Sequence, residues 1–326
     1  MFRVFNYNLL STRLVDPEFH SRCNPDYLKT EYRWDLIEVK LWNETRRKSI
    51  ICVQELSEDW ICLLMPFFHK QKYTFVYDSQ FLGVGIAFPS EVYDLNQMSM
   101  ICVGEELAKL CTPIIKTRIT WIEYLLGFFF KQKTEEDIWE LAKNKRNRII
   151  GAFLFDKQNK EFFYVFNNHS PCDFFNPPLM TIHGHMLLKI VKEKSEGLPY
   201  VLTGDFNSKP DSHVYSMITK NQGYLTTENS PGSKKHSFLP IFHFGISSLV
   251  SAYFAKNGRN PAYTNFSHTK RSKVQFMDTI DYIFFTSDKL LCTEVDPIRE
   301  DFPLSTFPNK EEPSDHLPLG ACFQFL

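Results

Sequence analysis

Short apolar runs that end abruptly in polar residues recur along this chain. Residues 3–9 read as a first strand, closing on Asn8 before Leu9, Leu10 and Ser11. Ile50–Val53 reads as a second, buried strand with the polar end Gln54-Glu55. Further strands are predicted at 73–77, 85–88, 98–103, 149–155 and 162–166, the last running into Asn167-Asn168-His169. Tyr200–Leu202 is another apolar run. It stops at Gly204, with Asp205 and Asn207 following at once, and a helix is predicted from Pro210 onward. The last strands are expected at 279–285 and 319–325, with Glu312-Pro-Ser-Asp-His316 between them.

A period near 3.6 marks the helices. Tyr32, Leu36 and Val39 share one face of a helix over 28–42, and 59–69 reads as a second. Leu179, Ile182, Met186 and Ile190 are in register over 179–191. Residues 121–130 carry a bulky apolar cluster, read as a helix packed on the core, with a partner-binding or membrane-touching loop as the alternative. Residues 226–236 read as a loop. Strand and helix signals alternate without a repeat or a long linker, so one α/β domain over 1–326 is expected. The connection from Phe155 to Phe162 is too short for a helix, so the sheets must be at least partly antiparallel. That argues against a doubly wound dinucleotide fold, and no Gly-rich phosphate loop is present.

Composition narrows the class only a little. The 326 residues are 43% hydrophobic and 23% charged, enough for a sizeable core, with 31 Phe. Net charge is -1, so any nucleic-acid contact must be local. Lys143, Lys145, Arg146 and Arg148, and Lys270, Arg271 and Lys273, are candidates for such a patch, or else a solvated face. The eight cysteines show no metal spacing. With Cys52, Cys102 and Cys322 in apolar runs, they read as free buried thiols in a reducing compartment. No signal peptide and no membrane-spanning run is seen, so a cytoplasmic location is expected, with nuclear or other intracellular sites open.

The chemistry lies at the strand ends. Asn8, Glu55, His169, Asp205, Asn207, Asp281 and His316 all sit at or just past the end of an apolar run. Singly, each has an ordinary account, such as a cap, a loop histidine or a turn residue. Together they suit displacement at phosphorus. Glu55, helped by Asn8, can hold Mg²⁺ or Mn²⁺, hard ions that favour oxygen. Asp205 can take a proton from water, and Asn207 can steer that water or the phosphate. His316 can act as base or donor with Asp281 fixing its tautomer, and His169 can donate to the phosphorane oxygens.

These residues resemble the endonuclease/exonuclease/phosphatase superfamily. The marks are Asn8, Gln54-Glu55, His169, Gly204-Asp205-Phe206-Asn207, Asp281-Tyr282 and Ser314-Asp315-His316, in family order. Within it the chain looks most like the nocturnin, Angel and carbon-catabolite-repressor deadenylase branch, through 25–33, 207–212, 249–253 and 261–266. The resemblance implies a DNase-I-like four-layer fold: a two-layer, mostly antiparallel β-sandwich flanked by helices. It implies a monomeric 3′–5′ exoribonuclease using one or two Mg²⁺ ions and preferring poly(A) 3′ ends. Glu55, Asn8 and Asp315 would lie at the metal, Asn147 would contact phosphate, and Asn207 would contact phosphate or adenine. Phe276 would stack on the terminal base or else pack the core. His183 and His185 stand where relatives show Arg, Lys or Gln, and no clear proline stands near Phe174 to close a base sandwich. A 2′–5′ phosphodiesterase or a phosphatase acting on RNA ends or a phosphorylated nucleotide is the alternative, and an inactive binding module a third. Protein partners are not specified.

Overall fold

In the computed structural model, which describes residues 1–80, 82–110, 135–220, 249–269, 275–301 and 305–326, fourteen strands are seen among these residues. They are β1 (Phe2–Asn8), β2 (Ile50–Leu56), β3 (Tyr73–Tyr77), β4 (Gly83–Pro89), β5 (Tyr93–Cys102), β6 (Arg148–Asp156) and β7 (Glu161–His169). The rest are β8 (Tyr200–Asp205), β9 (Leu249–Ser251), β10 (Asn265–Ser267), β11 (Phe276–Asp278), β12 (Asp281–Thr286), β13 (Leu290–Val295) and β14 (Leu319–Phe325). One six-stranded sheet runs β13-β14-β1-β2-β4-β3, the other β5-β6-β7-β8-β12-β9, and β10 pairs with β11.

The two sheets face each other across an apolar core. Val4, Ile50, Cys52 and Ile86 come from the first, and Ile150, Val165, Val201 and Ile283 from the second. Helices α1 (Thr30–Arg46) and α2 (Glu58–Lys70) cover the outer side of the first sheet, where Ile37, Leu41, Trp60 and Leu64 pack on Phe5, Ile51 and Val53. The outer side of the second is covered by α3 (Val103–Leu110), α4 (Glu135–Lys143), α5 (Pro177–Ser195) and α6 (His213–Lys220), while a further helix, α7 (Ala252–Asn257), follows β9. The chain is therefore the expected four-layer sandwich. Its central strands are apolar on both faces because both faces are covered.

Pairing is antiparallel except at β1–β2 and β7–β8. Those two parallel pairs matter most, because each brings two C-terminal strand ends to one rim. The side chains on the inner face follow the period of two. Val4, Asn6 and Asn8 share a face of β1, Val165, Asn167 and His169 a face of β7, and Val201, Thr203 and Asp205 a face of β8. Towards the rim the core turns polar. Gln54 Nε2 donates to Asn6 Oδ1 at 2.7 Å and to Asn167 Oδ1 at 2.6 Å. Asn167 Nδ2 donates to the carbonyls of Val53 at 2.9 Å and Gly85 at 2.8 Å, which ties one sheet to the other.

Several local expectations are corrected. The inward face of α1 is Arg33, Ile37, Leu41 and Glu44, while Val39 is exposed and Tyr32 and Leu36 are half-buried. The helix after Asp205 begins at His213, since 206–212 is irregular backbone and turn. β13 was not foreseen: it is short, and only Leu290 and Cys292 along it are buried. Cys52 and Cys102 are buried, but Cys322 is half-buried and Cys62 and Cys172 are exposed. The expectations for 121–130, 226–236 and Lys270, Arg271 and Lys273 lie outside the described residues. No helix among the described residues is long and apolar enough to cross a membrane.

Candidate active site

The rim collects the last inward position of each central strand. Asp205 closes β8 and stands directly between His169 on β7 and Asp281 on β12, its register partners on either side. Asn8 closes β1 on the facing sheet. Glu55 should point the other way, since β2 alternates and Gln54 is the inward residue beside Asn8. It is turned into the rim by an irregularity between Gln54 and Leu56, where Glu55 adopts φ 60. Gly204 permits the close pass of β7 and β8, because a Cβ there would lie 1.9 Å from the Asn168 carbonyl oxygen.

Asn8 binds the two sheets' carboxylates together. Its Nδ2 donates to Glu55 Oε1 at 3.1 Å and to Asp205 Oδ2 at 3.0 Å. Its own oxygen accepts the Leu10 N–H at 2.9 Å, so Asn8 stands beside Glu55 as a donor rather than as a free oxygen. The other Glu55 oxygen accepts the Ser11 N–H at 2.9 Å. Asp205 Oδ2 also lies 3.7 Å from both His169 Nε2 and His316 Nε2. Asp205 Oδ1 accepts the Asn207 N–H at 2.8 Å. Asn207 is at φ 47, so the two side chains are set by a turn rather than by extended backbone, and Asn207 Nδ2 donates to the Ser170 carbonyl at 3.0 Å.

His316 is held from behind. Its Nδ1 lies 2.8 Å from Asp281 Oδ2, which also accepts the Thr264 hydroxyl at 2.6 Å. Thr264 Oγ1 in turn accepts the N–H groups of Ile280 and Asp281, both at 3.0 Å. Thr264 was missed by sequence reasoning. It lies in the segment 261–266, which served only as a branch mark. Asp315 Oδ2 accepts Asn265 Nδ2 at 3.3 Å, and Asp315 Oδ1 lies 3.9 Å from His316 Nε2 with no hydrogen-bond partner.

Charge is crowded and dry here. Asp205 is 1% exposed, and burial with the neighbouring Asp281 charge pushes its carboxyl up to about 6, although His316 and His169 pull the other way. Burial works against a charged His316, but Asp281, Asp315 and Asp205 outweigh it and raise its pKa well above the usual value. At neutral pH the pair is therefore an ionised Asp205 facing a protonated His316.

The donor set suits a hard divalent cation. Glu55, His169 and Asp205 each bring a ligand atom within 4.8 Å of the others, as do Asp205, Asp281 and His316. Oxygen predominates, and the unpartnered Asp315 oxygen adds to it. The residues expected to touch substrate sit further out. Asn147 is half-buried, and its Nδ2 donates to the His169 carbonyl at 2.9 Å. Phe276 is half-buried against Phe174, ring centroids 5.6 Å apart, with the Lys209 ammonium 5.4 Å from its ring. The basic residues of 143–148 are each paired with a carboxylate: Lys143 with Glu140, Lys145 with Asp173, Arg146 with Glu105 and Arg148 with Asp78. His183 is buried away from this rim, within hydrogen-bond reach of the Ala142 carbonyl at 2.8 Å, and burial lowers both His183 and His185 to about 4.

A sandwich whose paired strand ends converge on Glu55, Asp205 and His316 defines a class, and the sequence agrees. The chain belongs to the Endonuclease/Exonuclease/phosphatase family, whose profile matches residues 21–316. It is 23% identical over 350 residues to the CCR4-Not complex 3′-5′-exoribonuclease subunit Ccr4 of Saccharomyces cerevisiae, covering 100% of this chain and 39% of that one. It is 30% identical over 337 residues to Nocturnin of Drosophila melanogaster, covering 99% of this chain and 47% of that one. The chain thus spans less than half of either relative. Among solved structures it is similar to ANGEL2, described as a 2′,3′-cyclic phosphatase, with TM-score 0.70 and 21% identity over 99% of this chain and 95% of that one. These three, a Ccr4, a nocturnin and an Angel protein, fall in the nocturnin, Angel and Ccr4 branch.

Proposed function

We propose that this chain is a Mg²⁺-dependent 3′–5′ exoribonuclease that hydrolyses phosphodiester bonds at poly(A) 3′ ends and releases 5′-nucleoside monophosphates. The observation that carries the reading is Asp205. One buried carboxylate meets two imidazoles at 3.7 Å and the Asn8 amide at 3.0 Å, beside a second carboxylate, Glu55. Catalysis of phosphoryl transfer needs a base for water, cations for the growing charge and a donor for the leaving oxygen.

Glu55 and Asp315 would hold the ion, and Asn8 would orient Glu55 beside Asp205. The bound ion would neutralise charge on the phosphate oxygens. Asp205, ionised above about pH 6, takes the proton of the attacking water. His316, protonated and backed by Asp281, faces the opposing charge and supplies a proton to the departing 3′ oxygen. His169 donates to a non-bridging oxygen, and Asn207 fixes the phosphate edge. Phe276 offers a ring to the terminal base.

ANGEL2, described as a 2′,3′-cyclic phosphatase, supplies the second reading: hydrolysis of a cyclic phosphate at an RNA end. Labelled oligo(A), oligo(U) and a 2′,3′-cyclic-phosphate-ended RNA, each with Mg²⁺ or with EDTA, separate the two. The expected result is Mg²⁺-dependent release of AMP from oligo(A) faster than UMP from oligo(U). Ring opening of the cyclic phosphate with no monophosphate release would overturn the exonuclease reading.

A further inference from the structure

Arg33 is a large charged side chain with no exposure at all, and among the described residues it forms no ion pair. Two of its three guanidinium nitrogens are taken up by carbonyls instead, while among these residues Nη1 has no hydrogen-bond partner. Nε donates to Pro313 at 2.6 Å, and Nη2 donates to Leu9 and, at 2.5 Å, to Leu10. The Trp60 ring lies 4.9 Å from the guanidinium carbon, and the Trp60 indole N–H donates to the same Leu10 carbonyl at 3.1 Å. An arginine fork reaches several acceptors at fixed angles, which an ammonium cannot do.

Those three carbonyls belong to the two loops that carry the metal side of the site. Leu10 is a non-glycine residue at φ 54, a conformation that persists only when its surroundings hold it. Its carbonyl goes to Arg33, while its N–H goes to the Asn8 oxygen and the next N–H, of Ser11, goes to Glu55. Pro313 immediately precedes Ser314, whose hydroxyl donates to the Asn8 carbonyl at 2.6 Å, and then Asp315 and His316. One guanidinium therefore sits two hydrogen bonds behind Asn8 and Glu55, and one hydrogen bond and two residues of backbone behind Asp315.

We infer that Arg33 is a positioning residue: it clamps the loop 9–11 to the segment 313–316 and so fixes the amide of Asn8 and the carboxylates of Glu55 and Asp315 for a divalent ion. The inference rests on the proposed hydrolytic function for its consequence in turnover, but the clamp itself can be read without any substrate. Supporting residues behind metal ligands typically contribute about 10–100-fold in metal affinity.

The test uses the full chain, Arg33→Lys, Arg33→Met and the control Arg3→Lys, whose arginine lies at the far end of β1. Hydrogen exchange at the Leu10 and Ser11 amides reads the clamp directly. Calorimetric Mn²⁺ titration reads the site, and oligo(A) kinetics read turnover. Arg33→Lys keeps the charge and is expected to fold, to exchange Leu10 and Ser11 at least about 10-fold faster, and to bind Mn²⁺ about 10-fold more weakly with kcat lowered and KM little changed. Arg3→Lys should lower the melting temperature without moving any of these. Unchanged exchange and Mn²⁺ affinity in both Arg33 variants overturn the inference. If exchange rises in Arg33→Lys while the wild type neither binds Mn²⁺ nor cuts RNA, the clamp stands and the hydrolytic reading fails.

Discussion

The two ends of β1 carry two buried polar clusters of opposite design. At the start of the strand, Arg3 donates to Glu44 through Nε at 2.8 Å and Nη2 at 3.1 Å, and also pairs with Asp296. Arg47 joins the same two carboxylates at 3.3 Å each, and Ser49 donates to Glu44 at 2.6 Å. Two cations meet two anions, and Gly320 leaves the room, since a Cβ there would lie 2.1 Å from Asp296 Oδ2. At the other end, Asn8 stands between Glu55 and Asp205, with an Asp315 oxygen and an Asp281 oxygen left without partners. The arginines differ in the same way. Glu44 and Asp296 outweigh burial and raise Arg3 above its ordinary value, whereas burial lowers Arg33 to about 10 against weaker help from Tyr7, Asp315 and Glu55. A balanced cluster is built for stability. An unbalanced one, kept in a dry site, stores the charge that a cation and a substrate would later neutralise.

The sharpest way to break this contrast is to neutralise the charge at the rim. Asp205→Asn should lower kcat/KM for RNA by about 10³-fold or more, the loss expected of a general base. It should not destabilise the protein. A carboxyl raised from 3.8 to about 6 binds more protons in the folded state than in the unfolded one across that window. Stability from this group is therefore lost as pH rises from about 4 through 6, and at neutral pH the ionised group costs up to about 3 kcal/mol. Thermal melting in EDTA at pH 7 should show Asp205→Asn at or above the wild type. A variant that melts well below it would show Asp205 to be structural.

Arg3→Met is the counterpart. It leaves Glu44 buried with only Arg47 and Ser49, and breaking one side of a buried pair costs about 3–5 kcal/mol. Urea unfolding should show that loss, while kcat/KM per folded molecule stays within about 2-fold of wild type, given the length of strand between Arg3 and Asn8. A large change in turnover at full folding would mean that the two ends are coupled.

The rim was more legible in the sequence than the cluster opposite. Asn8, His169 and Asp205 end apolar runs in phase with the inward face, so the period of two places them correctly. Glu55 is out of phase: its place at a strand end and its motif marked it, but nothing in the local pattern announces the left-handed residue that turns it inward. Arg33 was hidden for a related reason. An arginine in an amphipathic helix reads as solvent-facing, and its acceptors lie 24, 23 and 280 residues away. Arg3 gave no signal either, since its partners are on α1 and next to β14. The branch motifs carried the fold because they mark strand ends. They said little about the rim's outer lip, where Phe174 and Phe276 meet.

That lip offers the smallest and most specific test of the contrast. If the charge at the rim is there for RNA, something beside it must take a base, and Phe276 is a half-buried ring flanked by Phe174 and Lys209. Base–aromatic stacking is worth about 1–3 kcal/mol, so its loss raises KM by roughly 5- to 150-fold while leaving the chemical step alone. Phe276→Leu keeps most of the apolar volume against Phe174 and removes only the π face, which separates stacking from packing. The expected outcome is a KM for oligo(A) raised about 10-fold at nearly constant kcat, with no change for an abasic oligonucleotide of the same length, which has the phosphodiester but no ring to stack. Equal KM values for oligo(A) in Phe276→Leu and wild type would leave Phe276 as core packing, and base recognition would then have to be sought elsewhere on the rim.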